Sequence, residues 1–195
     1  HGESTLNIER RVNGDPDVPV ALTERGREEA RRLGEQVAQL PLDACVHTRF
    51  PRTRETAEIA LGAREEVPLV EEALLDDIDI GDLEGEQVET YRAWKHGHSR
   101  EVAFPGGESL DDAARRYADG FRKLLDSQWR AVLVVCHEIP VRYALNGASG
   151  SYSLDGPAHE ISNAVPYLFD EEALARAIQG IERLTSPRRD RGAAS

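Results

Sequence analysis

The chain has 195 residues, with 24 Lys and Arg against 36 Asp and Glu, and a formal net charge of −12. That length fits one domain with a sizeable core, and the acidic balance argues against nucleic acid or an anionic membrane as partner, since both need clustered Lys and Arg. No run approaches the roughly 18 apolar residues of a membrane helix. The two cysteines, Cys45 and Cys136, sit in apolar runs; they are no disulfide framework, so structural thiols in a reducing cytoplasm are expected.

Thr23 is placed to cap a helix whose apolar face is Ala30, Leu33, Val37 and Leu40, at helical spacing. Residues 44–46 read as a short buried strand. Pro51 suits the first turn of a helix that reaches Leu61 and stops at Gly62. Residues 67–70 are a weaker strand. Residues 85–107 lack strand character and read as an insertion or lid. Ser109 can cap a long helix burying Ala113, Ala114, Tyr117, Phe121, Leu124 and Leu125. Residues 131–136 form a continuous apolar run, the pattern of a central parallel strand covered on both faces. A helix over about 140–145 follows, then a strand at 165–169. A last helix spans 171–184, with Leu174, Ala177, Ile178, Ile181 and Leu184 on one face. Residues 186–195 form a polar tail expected to be mobile. The alternation predicts an α/β domain with a mainly parallel sheet over residues 1–185. Ligands bind at the carboxyl ends of such strands, which selects residues 47–52, residues 76–81, and His137 with Glu138.

The chemistry-bearing residues lie in those places. His1-Gly2-Glu3 opens the chain, with Asn7 four residues after Glu3. Leu22-Thr23-Glu24-Arg25-Gly26 precedes the first helix. Arg52 begins Arg-Thr-Arg-Glu-Thr-Ala. Asp77 starts a run through Gly81 to Glu84-Gly85, Pro105-Gly106-Gly107-Glu108-Ser109 precedes the long helix, and His137 ends the strongest strand. Each signal is weak alone. Together and in this order they resemble the histidine phosphatase superfamily, the phosphoglycerate-mutase-like group, from residue 1 to about residue 169.

The resemblance implies a three-layer α/β/α sandwich and a metal-independent phosphomonoesterase with no cofactor, acting on a small phosphorylated substrate. Elementary chemistry agrees. A phosphomonoester carries about two negative charges, so its pocket must supply cations and oriented donors. Arg52 offers a planar fork for phosphate oxygens. His1 matches the family nucleophile, and a neutral imidazole can form a phosphohistidine. Gly2 would let the backbone pack close to the phosphate. His137 matches the second pocket histidine, a hydrogen-bond donor to the phosphoryl oxygens, and Asn7 matches a polar position near them. The family's proton donor is usually a Glu; Asp77 stands there, able if its surroundings raise its pKa. Glu138, directly after His137, is a rival acid or a solvated helix-start carboxylate. The choice stays open between them, or neither.

Other residues carry two readings each. His96 and His98 are half a metal site or part of a solvated lid. His47 lines the pocket or does not. Glu108 orients pocket groups or begins its helix, and Arg142 serves the phosphate or an ion pair. Tyr91 and Trp94 form a substrate-facing wall or pack the lid. Arg10 and Arg11 attract phosphate or are solvated.

The chain contains no Met, so His1 is not expected to be a natural start. In the family a central strand ending in a phosphate-binding Arg precedes this His, and no residue here replaces that Arg. Either upstream residues exist, which is the preferred reading, or a replacement strand serves a crippled site. The 19 residues between Gly85 and Pro105 leave limited room to shield a phosphoenzyme, which favours a hydrolase over a mutase. A pseudophosphatase binding phosphorylated ligands is the non-enzymatic alternative. The substrate and the oligomeric state are not legible.

Overall fold

The computed structural model describes residues 1–186. Beyond Ser186, the expected polar tail lies outside the described residues. Three parallel strands, β1 (Ala44–His47), β2 (Leu69–Glu71) and β3 (Val132–Val135), form a sheet in the order β2-β1-β3. In register, Cys45 stands opposite Leu69 on one side and Leu133 on the other. The helices are α1 (Thr5–Ile8), α2 (Glu24–Val37), α3 (Pro51–Leu61), α4 (Val88–Gly97), α5 (Leu110–Leu125), α6 (Glu138–Ala148) and α7 (Glu171–Thr185).

Pleating sends alternate side chains of β3 to opposite faces. Leu133 and Val135 pack toward α2 and α3, against Leu33, Val37, Ala57 and Leu61. Val134 packs the other way, into a core of α5, α6 and α7 built around Tyr117, Phe121, Tyr143, Ile178 and Ile181. The result is the expected α/β/α layering. Local chemistry sets the helix ends. The Thr23 hydroxyl oxygen accepts from the Gly26 N–H at 3.0 Å. Gly62 ends α3 at φ +57°, a conformation that favours glycine. The Ser109 oxygen accepts from the Asp112 N–H at 3.0 Å.

Two expectations change, at Leu40 and at residues 165–169. Helix α2 ends at Val37, so Leu40 lies beyond it and is 47% exposed. Among the described residues β1 lies between β2 and β3. All four residues of β1 are buried, whereas Val132, Leu133 and Val134 of β3 are half-buried, and no strand among the described residues pairs with the outer edge of β3. Residues 165–169 are not a strand; they run as irregular chain along the cavity that borders β3, with Leu168 95% exposed. The stretch 85–107 holds a helix, α4, whose Tyr91 and Trp94 stack on the buried Phe104 at 5.6 and 4.2 Å between ring centres. Among the described residues no helix is long and apolar enough to cross a membrane.

Candidate active site

The carboxyl ends of the strands deliver the key side chains. Arg52 sits in the first turn of α3, just after β1; Asp77 lies on the loop after β2; His137 follows β3 as the N-cap of α6. His1 is tied between two segments, since its backbone N donates to the Cys136 carbonyl at 3.1 Å and its carbonyl accepts from Ala164 N at 3.0 Å. All four line one cavity of about 770 Å³, together with Asn7 and Glu138.

The hydrogen bonds assign the His1 tautomer. Nδ1 lies 2.8 Å from the Gly2 carbonyl, which can only accept, so Nδ1 carries the proton. Arg52 Nε, which can only donate, faces Nε2 at 3.2 Å. The Nε2 lone pair therefore points into the site, on a ring 5.4 Å from that of His137.

Arg52 is 4% exposed and spends its donors on several groups. It reaches the Asn13 side chain, the Asn13 carbonyl at 3.3 Å, His137 Nδ1 at 3.2 Å and Asp77 Oδ2 at 3.4 Å. Its guanidinium also lies 4.4 Å from the centre of the Phe50 ring. Burial pushes its pKa down, opposed by Asp77 and Glu84; a guanidinium nevertheless keeps its charge. One cation thus touches both histidines and the Asp77 carboxyl.

The Asp77 carboxyl lies 3.5 Å from His137 Nδ1, and its Oδ1 accepts from Ile78 N at 3.0 Å. Burial pushes its pKa up, with the Arg52 charge opposing. His137 is pushed well down, first by burial and then by Arg52, so its ring is neutral. Arg116 holds the Asp77 loop from behind, donating to the carbonyls of Leu74 and Asp76 at 3.0 Å and of Asp77 at 3.2 Å. Glu108 pairs with Arg116 and accepts from Asp79 N at 3.0 Å. Glu108 thus orients the loop that carries Asp77.

Glu138 sits at the mouth, paired with Arg142, which also donates to the His159 carbonyl at 2.9 Å; Arg142 therefore serves an ion pair. The glycine at position 2 answers to a neighbour rather than to the pocket. A Cβ there would stand 2.2 Å from the Gly26 carbonyl oxygen, and Gly2 is not part of the cavity lining. Asn7 lines the cavity, but its Oδ1 is engaged with Ser4 N at 2.9 Å, leaving its amide N–H groups for a ligand. His47 is buried with Nδ1 against the Thr48 carbonyl and does not line the cavity. Arg11 lines it, whereas Arg10 pairs with Glu89. Tyr91 lines the cavity while Trp94 lies outside the lining, stacking on His98 as well as Phe104. Among the described residues no group of three or more His, Cys, Asp and Glu could hold a metal, His96 and His98 included.

The sequence singles out neither Asn13 nor Arg116, and it gives Glu84 and Thr48, though they lie in selected segments, no role of their own. Glu84 accepts from Asn13 Nδ2 at 2.7 Å, Gly14 N at 2.6 Å and Asp15 N at 3.1 Å, and so anchors the Asn13 that anchors Arg52. Nothing in the spacing of Asn13 and Glu84 marks them as partners. Thr48 fell within the range selected at the end of β1 and carried no further signal.

Comparison with known proteins identifies the family. The family described as "Histidine phosphatase superfamily (branch 1)" matches residues 1–183. A relative from Gloeobacter violaceus, named 2,3-bisphosphoglycerate-dependent phosphoglycerate mutase 2, is 33% identical over 187 residues, which is 89% of this chain and 84% of that protein. The solved structure of YhfR from Bacillus stearothermophilus aligns with a TM-score of 0.70 at 28% identity, covering 88% and 84% of the two chains. That of a mycobacterial glucosyl-3-phosphoglycerate phosphatase aligns at 0.61 and 25% identity, covering 76% and 75%. The chain belongs to branch 1 of the histidine phosphatase superfamily, and its fold is the α/β fold of the phosphoglycerate-mutase-like proteins.

Proposed function

We propose that the protein is a phosphomonoesterase of small phosphorylated metabolites, working through a phosphohistidine on His1. The observation that carries this reading is the His1 Nε2 lone pair, aimed into a cavity beside Arg52, His137 and Asp77. In the first step the lone pair attacks phosphorus, the N–P bond forms and the ester P–O bond breaks. The Asp77 carboxylic acid gives its proton to the departing alkoxide. Arg52 turns its donors from Asn13 and the two histidines to the phosphoryl oxygens, where the charge sits. In the second step water attacks phosphorus, Asp77 takes the proton from it, the N–P bond breaks and phosphate leaves. Asp77 is preferred to Glu138 because burial raises its pKa and its carboxyl adjoins His137, whereas Glu138 is half-exposed and committed to Arg142. Protein cations carry the phosphate charge in every step, so none calls for a metal. Residues 85–107, with α4, are proposed to cover the site.

A second reading is mutase-type phosphotransfer, favoured by the name of the Gloeobacter violaceus relative. The test is turnover of p-nitrophenyl phosphate, with His1→Ala as control and acid-labile, base-stable phosphate trapped on wild-type protein. Unchanged turnover in His1→Ala would remove His1 from the mechanism. Conversion of 3-phosphoglycerate to its isomer, dependent on added bisphosphate and without phosphate release, would establish the mutase.

A further inference from the structure

One buried polar chain has no role in the steps above. Thr48, directly after β1, is fully buried, and its Oγ1 lies 3.0 Å from His137 Nε2 and 2.8 Å from Thr53 Oγ1. Thr53, also fully buried, lies 2.8 Å from the Phe50 carbonyl oxygen. The groups at the two ends set the proton directions. A carbonyl can only accept, so the single Thr53 proton goes to Phe50. The Thr48 hydroxyl then donates to Thr53 Oγ1, and the Thr48 oxygen accepts from His137 Nε2–H. The Phe50 N–H, 3.4 Å from the same oxygen, also treats it as an acceptor. At the far side of the ring, Arg52 Nη2 can only donate and faces Nδ1 at 3.2 Å. Two independent neighbours therefore favour the same tautomer, and Asp77, 3.5 Å from Nδ1, is compatible with it as a carboxylic acid.

We infer that Thr48, backed by Thr53, is the positioning residue that holds His137 as the Nε2–H tautomer with Nδ1 turned to the phosphate site. The catalytic consequence rests on the phosphohistidine reading; the tautomer does not. With Nε2–H committed to Thr48, Nδ1 is the nitrogen that changes state when substrate draws Arg52 away. A phosphate monoanion gives its proton to Nδ1, leaving a dianion and an imidazolium whose Nδ1–H then donates to a phosphoryl oxygen. The proton returns when product leaves. Without the Thr48 oxygen, a buried N–H loses its acceptor and the ring loses the contact that fixes its orientation.

The experiment is long-range ¹H–¹⁵N correlation on histidine-labelled protein, with the His137 signals assigned from the His137→Asn spectrum, beside steady-state kinetics on p-nitrophenyl phosphate. Wild type should show the Nε2–H pattern, and Nδ1–H in wild type overturns the inference. Thr48→Val keeps the shape and removes the acceptor; it should mix the tautomers and lower kcat about 10- to 100-fold with KM changed less than threefold. Thr48→Ser should restore both. A Thr48→Val protein with the wild-type pattern and wild-type kcat refutes the proposal. If Thr48→Val does not fold, Thr53→Val, which removes only the backing group, should weaken the pattern in the same direction, and an unchanged pattern counts against the relay. Absence of turnover on any phosphomonoester by wild type would sink the function reading, while the spectra still decide the tautomer.

Discussion

Replacing Gly26 by Ala sets two effects of opposite sign against each other. Gly26 lies in the first turn of α2, where Ala is the better helix former by about 1 kcal/mol. Local propensity alone therefore predicts a more stable protein. The tertiary contact predicts the reverse. A Cβ at Gly26 would stand 2.0 Å from the Glu3 carbonyl oxygen and 2.8 Å from Glu3 N. Real Cβ contacts do not fall below 3.0 Å, so the residue 1–3 segment must withdraw by at least 1.0 Å, the gap between those two distances. The opposing atom is backbone and cannot rotate away. It is also held in place, because Thr23 N donates to the Glu3 carbonyl at 2.9 Å and Glu3 N donates to Glu29 Oε2 at 2.8 Å. Two residues upstream is the His1 ring. A displacement of about 1 Å at a reacting group costs on the order of 10²-fold in rate, or about 2.7 kcal/mol. We expect Gly26→Ala to lower kcat/KM on p-nitrophenyl phosphate about 100-fold and to lower Tm by several degrees. The control is Gly97→Ala at the end of α4, where a Cβ meets nothing within 4 Å; it should leave activity unchanged and Tm level or slightly higher. A Gly26→Ala protein with raised Tm and full activity would refute the packing argument.

Asp77→Asn should slow alkyl phosphates more than aryl phosphates, since a good leaving group needs less protonation; equal losses would move the acid role elsewhere. The same substitution should raise Tm at neutral pH. The folded pKa of Asp77 lies above its unfolded value, so its stabilising contribution is full below the unfolded pKa and is lost as pH rises through the folded one; denaturation at pH 7 and pH 3.5 should show the gain only at the former. His137 has the opposite sign. Its folded pKa is depressed, so its contribution is present above about pH 6.5 and is lost as pH falls below that value, by up to about 1.4 kcal/mol per pH unit. His137→Gln should flatten that acid limb, and an unchanged slope would contradict a neutral buried ring. Asn13→Ala removes the side-chain acceptor that aims Arg52, and we expect about a 10-fold fall in kcat/KM with little change in Tm; wild-type kinetics would show that Phe50 and Asp77 suffice to place the guanidinium.

The elements that could be read from sequence are those whose determinants are local. Thr23, Pro51 and Ser109 mark their helix starts because caps and first-turn prolines act within three or four residues. Residues 165–169 deceived for the same reason. A run of Val, Tyr, Leu and Phe has strand propensity, but Pro166 within it lacks the N–H a ladder needs, and the run pairs with none of the described strands. The β3 run is continuously apolar, and its side chains enter the layers on both faces of the sheet, as that pattern implies. Its register against β1 follows from sheet order, which no single segment encodes.

The site divides in the same way. The strand-end rule brought Arg52, Asp77 and His137 together, because the turn after each parallel strand opens on the same edge of the sheet; His1 joined them through the family resemblance. Which ring nitrogen carries the proton, which carboxylic acid is buried, and what holds Arg52 were decided by tertiary structure alone. Those properties come from neighbours far away in sequence. Thr48 faces His137 across 89 residues, Asp77 faces Arg52 across 25, and Glu84 anchors Asn13 across 71. Burial and hydrogen-bond direction are properties of space, and the chain acquires them only on folding.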